Sequence, residues 1–135
     1  MAIEYKFGGC LASNCVQELY STNGWTIYTD NMPRLMAALN NSAVYTAWDG
    51  QRLIGLLRAV GDGETILYIQ DILVLKAYQR RGIGSALLKR VLDAYPHVRQ
   101  KVLLTDDKPE TRSFYQANGF QSCDDGRLVA FARFD

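Results

Sequence analysis

The sequence of 135 residues contains few of the residues that hold metal ions or disulfide frameworks. It has three cysteines, Cys10, Cys15 and Cys123, and one histidine, His97. The cysteines are odd in number and form no Cys-x-x-Cys pair, which favours a reducing compartment and leaves too few soft ligands for a zinc site. We therefore expect no bound metal, and we expect all three cysteines to be inert thiols packed in the protein. The alternative is that Cys10 or Cys15 lies near a functional site. His97 is expected at the surface.

Long hydrophobic runs and an excess of charge are also missing. No stretch approaches the ~20 consecutive apolar residues of a membrane span, and residues 1–7 lack the apolar run of a signal peptide. Lys and Arg number 15 against 14 Asp and Glu, a net charge of +1, which is too balanced for binding nucleic acid through bulk charge. We expect a cytoplasmic protein without nucleic-acid or membrane partners, folded as a single domain over residues 1–135.

The hydrophobic period changes along the chain in an order typical of an α/β fold. Short apolar stretches, alternating or continuous, predict strands at residues 3–7, 44–48, 53–60, 65–74 and 102–105, and a terminal hairpin from 120–123 and 128–134. Apolar residues at helical spacing predict a helix that begins at residue 13 and stops at Asn23. They predict further helices from about 31 to 39, at 82–95 and at 109–118. The strand at 65–74 is apolar on both faces except at Gln70 and Asp71, so it belongs in the middle of a sheet.

Residues 73–85, Leu-Val-Leu-Lys-Ala-Tyr-Gln-Arg-Arg-Gly-Ile-Gly-Ser, join this buried strand to the next helix. Backbone N–H groups and the positive end of a helix dipole hold anions at such a junction. Gly82 and Gly84 let a phosphate approach the backbone, or they open the helix for steric reasons alone. The segment predicts a diphosphate cradle. It lacks the third glycine of a Rossmann fingerprint and the Gly-Lys-Ser/Thr of a P-loop.

The stretch Gln79-Arg80-Arg81-Gly82-Ile83-Gly84 resembles the acyl-CoA signature of the GNAT superfamily of N-acetyltransferases, Gln/Arg-x-x-Gly-x-Gly/Ala. A second block at 114–120, Phe-Tyr-Gln-Ala-Asn-Gly-Phe, is similar to the family's Phe-Tyr-x-x-x-Gly-Phe. The resemblance covers nearly the whole chain and implies an α/β GNAT fold. That fold has a mixed sheet of about six to seven strands, about four helices, and central parallel strands that splay apart.

The resemblance also implies how acetyl-CoA binds. In the family the pantetheine arm enters between the splayed strands, and the matching positions here are Leu73 and Val74, whose backbone would bond to the pantetheine amides. Leu75 would lead toward the phosphates. The implied diphosphate-binding residues are Gln79, Arg80, Arg81, Gly82, Ile83, Gly84 and Ser85.

The second block implies a general acid. Tyr115 matches the tyrosine that in many family members protonates the departing CoA thiolate, and a phenol is a neutral donor at pH 7. The alternative is that Phe114 and Tyr115 pack a helix onto the sheet, although Phe114 also counts as a cofactor-binding candidate. Where the family commonly has an asparagine that touches CoA, this chain has Lys108, which either bonds to CoA or is surface charge.

A general base must take a proton from the amine, which is largely protonated at pH 7. Asp71 is the candidate because it lies two residues from Leu73 and so points to the same face of the strand. It would act as base or substrate anchor, or alternatively as a fixed hydrogen-bond acceptor. Glu64 is a weaker candidate, and some family members use ordered water.

The loop between the first two helices shapes the acceptor pocket in this fold. Trp25 and Tyr28 could form an aromatic wall there, and Asp30 could attract an amine, although aromatics are commonly core residues.

Farther along the chain, Asp107 with Glu110 predicts a helix-capping box.

Together these residues predict an acetyl-CoA-dependent N-acetyltransferase that works by direct attack of an amine, since no cysteine lies in either motif. We expect a small-molecule amine as acceptor, with a protein Lys or N-terminal amine as the alternative. The rival class is a non-catalytic acyl-CoA-binding sensor. The resemblance allows a homodimer.

Overall fold

A computed structural model describes residues 2–135 and divides the chain into two compact units, one ending at Leu104 and one spanning Thr105–Asp135. The strands, all in the first unit, are β1 (Glu4–Phe7), β2 (Ala43–Asp49), β3 (Arg52–Gly61), β4 (Ile66–Val74) and β5 (Gln100–Leu103). The helices of the first unit are α1 (Ser13–Thr22), α2 (Thr26–Thr29), α3 (Met32–Asn40) and α4 (Ile83–Ala94). The second unit contains α5 (Pro109–Ala117). The short 3₁₀ turns are Lys76–Tyr78 and Cys123–Asp125.

The sheet has the order β1-β2-β3-β4-β5. Its first four strands pair antiparallel, and β4 pairs parallel with β5. A helix connects the two parallel strands, as the sequence predicts for a βαβ unit. Seven consecutive residues of β3, from Leu53 to Ala59, are buried, so this strand is covered on both faces.

Helices α1 and α4 cover the two faces of β3. A Cβ added at Gly55 would lie 3.2 Å from Ile83 Cγ2 and 3.4 Å from Leu87 Cδ1, so glycine lets α4 approach the strand closely. Arg58 lies three positions further along β3, and side chains of a strand alternate between faces. Arg58 therefore points to the opposite face, where Tyr20 of α1 shares its partner Asp71.

The pairing of the two parallel strands is short. It runs from Ile66 opposite Gln100 to Ile69 opposite Leu103, where β5 ends. A register shift against β3 at this point leaves Gln70 as an extra residue, which is a β-bulge. Within residues 2–135, β4 thus runs from Gln70 to Val74 with no partner strand on its β5 side.

Several expectations are corrected. The sheet has five strands rather than six to seven. The described residues form five α-helices rather than about four, because the sequence pattern does not predict the single-turn helix α2. The terminal hairpin is absent, since residues 126–135 adopt no regular structure. A strand needs a partner to form, and the apolar side chains that predicted this hairpin are exposed: Leu128, Val129, Phe131 and Phe134.

The capping box is wrong as well. Lys108 is the N-cap of α5 and makes no side-chain cap bond. The Asp107 carboxylate instead accepts from Arg112 Nε at 2.6 Å. None of the helices within residues 2–135 is both long and apolar enough to cross a membrane.

Candidate active site

The open edge of β4 presents backbone groups of particular residues. The Leu75 N–H donates to the Ile54 carbonyl oxygen at 2.9 Å, so these opposite residues form a hydrogen-bonded antiparallel pair. Such pairs alternate along the ladder, and Leu73, two positions earlier, therefore also directs its peptide groups toward β3. Ile72 and Val74 direct theirs away from β3, toward the side where β5 has ended.

The loop after β4 is tied to this edge. Gln79 Nε2 donates to the Val74 carbonyl oxygen at 3.0 Å, which leaves that oxygen a second lone pair. The Tyr78 hydroxyl donates to Asp49 Oδ2 at 2.5 Å, and the guanidinium of Arg81 lies over the Tyr78 ring at 5.4 Å. These contacts hold the loop against the β2–β3 hairpin.

The start of α4 presents backbone donors. Gly82 is its N-cap, with φ 77°, and the first helical bond runs from the Ala86 N–H to the Gly82 carbonyl oxygen at 2.9 Å. No side chain caps this end, and no acidic residue lies in its first turn. Arg80, exposed, is the residue other than glycine with positive φ in the described chain, at 63°. The backbone N–H groups of Ile83 and Gly84 thus lie at the positive end of the helix dipole.

A polar cluster with a buried centre, which we call the Arg58–Asp71 cluster, lies where β4 leaves β5. It consists of Tyr20, Tyr28, Arg58, Gln70 and Asp71. Arg58 Nε donates to Asp71 Oδ2 at 2.7 Å, and the Tyr20 hydroxyl donates to the same oxygen at 2.9 Å. The Tyr28 hydroxyl donates to Asp71 Oδ1 at 3.3 Å and accepts from Gln70 Nε2 at 3.0 Å.

This environment bears on the two roles considered for Asp71. Its side chain is 1% exposed, and protein donors occupy both carboxylate oxygens. Burial raises the pKa of Tyr20, and the neighbouring Asp71 carboxylate raises it further, so that this phenol remains a neutral donor. The geometry agrees with a fixed hydrogen-bond acceptor, and in that role Asp71 orders the side chains around it.

Trp25 and Tyr28, the residues of the predicted aromatic wall, belong to a cluster of aromatic rings. Ring centroids of Trp25 and Tyr28 lie 6.0 Å apart, and both rings contact Tyr20, at 5.9 Å and 5.5 Å respectively. Both residues are half-buried. This aromatic cluster therefore connects the predicted acceptor residues Trp25 and Tyr28 to Asp71. Asp30, in contrast, is exposed at the end of α2.

The second unit holds the predicted general acid. Tyr115 is half-buried, and its ring makes edge contacts with Phe114 at 5.0 Å and Phe120 at 5.9 Å. Burial raises the pKa of Tyr115, so the phenol carries its proton at neutral pH. Lys108 is exposed, with Nζ 3.9 Å from Asp106 Oδ2.

Other candidates lie on the surface. Glu64 is exposed in the β3–β4 turn, and His97 is exposed with Nε2 2.7 Å from the Gly63 carbonyl oxygen. Cys10 is exposed, so the expectation of a packing thiol is wrong for it, while Cys15 and Cys123 are half-buried. The part of the chain that the structure describes contains no cluster of three or more His, Cys, Asp or Glu that could hold a metal ion.

Sequence reasoning missed Arg58, Tyr20 and Ile72. Arg58 is a charged residue inside an apolar strand, and that pattern could have predicted a buried partner on the neighbouring strand. Ile72 follows from the two-residue alternation of peptide groups, which places it with Val74 once the register of the β3–β4 hairpin is known.

Replacing Tyr20 with Phe tests the stability of the cluster. The substitution keeps the ring in its packing and removes one hydrogen bond to a buried carboxylate. We expect the free energy of unfolding to fall by about 1.5–3 kcal/mol, the range for bonds to charged groups, in urea titrations followed by circular dichroism. Tyr5→Phe, on strand β1 outside the cluster, is the control. An equal effect of both substitutions would contradict a stabilising role for the Tyr20 hydroxyl.

Comparison with known proteins gives consistent matches. The sequence model described as Acetyltransferase (GNAT) domain matches residues 40–122. A GNAT-family acetyltransferase structure from Streptococcus pneumoniae TIGR4 is 33% identical, with a TM-score of 0.88 over 99% of this chain and 98% of that one. An uncharacterized ycf52-like N-acetyltransferase from Prochlorococcus marinus is 30% identical over 86% of this chain and 66% of its own length.

A more distant structure shares the fold. AAC(6')-Iy, in complex with the bisubstrate analogue CoA-S-monomethyl-acetylneamine, is 15% identical, with a TM-score of 0.69 and complete coverage, 100%, of both chains. The chain matches between 33% and 66% of the length of its curated relatives.

Proposed function

The chain belongs to the GNAT acetyltransferase family, and from this premise we propose that it is an acetyl-CoA-dependent N-acetyltransferase acting on a primary amine of a small molecule. The observation that carries the proposal is the open edge of β4, which leads through a fixed loop to the uncapped start of α4. We also propose that both units serve one acetyltransferase domain over residues 1–135.

The backbone of this edge fits the pantetheine arm of acetyl-CoA. The arm carries two amides, and the peptide groups of Ile72 and Val74 that face away from β3 can exchange hydrogen bonds with them as a neighbouring strand would. In this proposal the contact expected of Leu73 passes to Ile72, because Leu73 directs its own peptide groups to β3. Leu73 and Leu75 instead contribute buried side chains to the hydrophobic core.

The loop and helix start fit the diphosphate. The N–H groups of Ile83 and Gly84 and the helix dipole would hold its oxygens. Arg80 and Arg81 would add positive charge, and Gln79 would keep the loop against the strand. Ser85, Lys108 and Phe114 remain proposed contacts of the same cofactor.

The proposed reaction is direct transfer. The amine nitrogen forms a bond to the thioester carbonyl carbon, the carbon–sulfur bond breaks, and the amine releases a proton to solvent. The Tyr115 hydroxyl would give its proton to the departing thiolate and would then regain one from solvent. A small acceptor is supported by the structure of AAC(6')-Iy, whose bound analogue joins CoA to acetylneamine.

Release of CoA tests the proposal. The pure protein is incubated with acetyl-CoA and a panel of small amines, and free thiol is measured with a chromogenic disulfide. We expect thiol release that depends on the added amine. If acetyl-CoA binds in calorimetry but no amine accelerates thiol release, the protein is an acyl-CoA sensor; transfer only to peptides would favour a protein acceptor.

A further inference from the structure

The guanidinium of Arg58 is only partly used within the protein. Its side chain is 10% exposed, and its Nε bonds to Asp71 Oδ2. Within residues 2–135, Nη1 and Nη2 have no hydrogen-bond partner. Every fully buried polar side-chain atom of the described residues has a partner, so these two nitrogens reach solvent from a side chain that is otherwise enclosed.

This arrangement leaves one edge of the guanidinium accessible to a ligand. Arginine presents its donors as a rigid planar fork. The bond from Nε to Asp71 fixes the guanidinium, while the edge formed by Nη1 and Nη2 stays open. That edge matches the two oxygens of one carboxylate in a bidentate pair.

The surroundings connect this edge with the proposed acceptor site. The Tyr28 ring lies 5.7 Å from the Arg58 guanidinium carbon and belongs to the aromatic cluster with Trp25. Gln70 and Asp71 are the first residues of β4 beyond its last pair with β5. The positive charge of Arg58 is balanced by Asp71, so an acceptor carrying both an ammonium and a carboxylate adds no net charge to the cluster.

We propose that Arg58 binds a carboxylate of the acceptor through Nη1 and Nη2, and that the acceptor is an amine of the amino-acid class. The inference rests on the proposed function and narrows its substrate class. Arg58 is then a specificity-determining residue, and Asp71, Tyr20 and Tyr28 are positioning residues that hold its guanidinium in place.

The test compares acceptors that differ only in this group. The rate constant kcat/KM is measured for amino acids and for their primary amides, with acetyl-CoA as donor. We expect the amino acids to be preferred about tenfold or more, the range for a bond between charged groups. Amides that react equally well would overturn the inference while leaving the proposed function intact.

Variants assign the preference to Arg58. Arg58→Lys keeps a positive charge beside Asp71 but removes the planar fork, and we expect it to reduce the preference at least fivefold. Arg52→Lys, on the same strand and paired with Glu18 at the surface, is the matched control and should retain the preference. Full retention in a folded Arg58→Lys protein would overturn the assignment.

Binding provides a readout that needs no catalysis. N-acetyl amino acids and N-acetyl amino acid amides are titrated into the protein by calorimetry, in the presence of CoA. Tighter binding of the acids to wild type, weakened in Arg58→Lys, supports the inference even if no amine is acetylated and the proposed function fails. Equal binding of both series, or binding of neither, would overturn it.

Discussion

Replacing Gly82 with Val should abolish acetyl-CoA binding in calorimetry while the protein remains folded. Gly82 is the N-cap of α4 with φ 77°, a conformation that β-branched residues avoid. A valine there is strained by about 1–3 kcal/mol, moves the first-turn N–H groups, and adds a side chain where the diphosphate must approach. Apart from its chain neighbours, no residue of the described range 2–135 has an atom within 4 Å of the added Cβ, so packing does not cause the loss.

A matched control separates this effect from strain. Gly63 has φ 80° and equally open surroundings, but it lies in the β3–β4 turn. Gly63→Val therefore carries the same backbone penalty and should bind acetyl-CoA as wild type does. Gly84→Val, in the first turn of α4 and without positive φ, should lose binding without that penalty. Wild-type affinity in Gly82→Val and Gly84→Val would exclude the diphosphate cradle.

Replacing Tyr115 with Phe should lower kcat by roughly ten- to a thousand-fold, in line with the contribution of a general acid. The ring and its contacts with Phe114 and Phe120 are kept, so the affinity for acetyl-CoA should change little. The measurement is steady-state thiol release together with calorimetric binding of acetyl-CoA.

The control for Tyr115 is Tyr5→Phe, which removes the hydroxyl of a half-buried tyrosine on β1. It should leave kcat unchanged. A Tyr115→Phe protein with wild-type kcat would remove this residue from the reaction. A loss of acetyl-CoA binding with unchanged kcat would instead assign Tyr115 to packing in the second unit.

The parts of the fold that the sequence predicts well have local causes. Strand β4 is apolar on both faces, and α4 has a helical apolar period that starts after Gly82, so neither depends on distant residues. Helix α2 is a single turn, which is too short to show a helical period of apolar residues in the sequence. The C-terminal apolar residues alternate as in a strand, yet strand formation also needs a partner, which the alternation does not reveal.

The candidate site divides in the same way. The cradle at residues 79–85 was predictable because a glycine-rich strand–helix junction is local chemistry. The Arg58–Asp71 pair depends on the register of β3 against β4, which shifts at Gln70. The role of Ile72 depends on the same register, because the alternation of peptide groups is fixed only once a strand has its partner.

Backbone amide shifts during titration with acetyl-CoA test the central claim most directly. In ¹H–¹⁵N spectra we predict that the largest shifts fall on Ile72, Val74, Ile83 and Gly84, with smaller changes on β1 and α3. Saturable binding that shifts β1 or α3 amides, and leaves β4 and the start of α4 unchanged, would contradict the account.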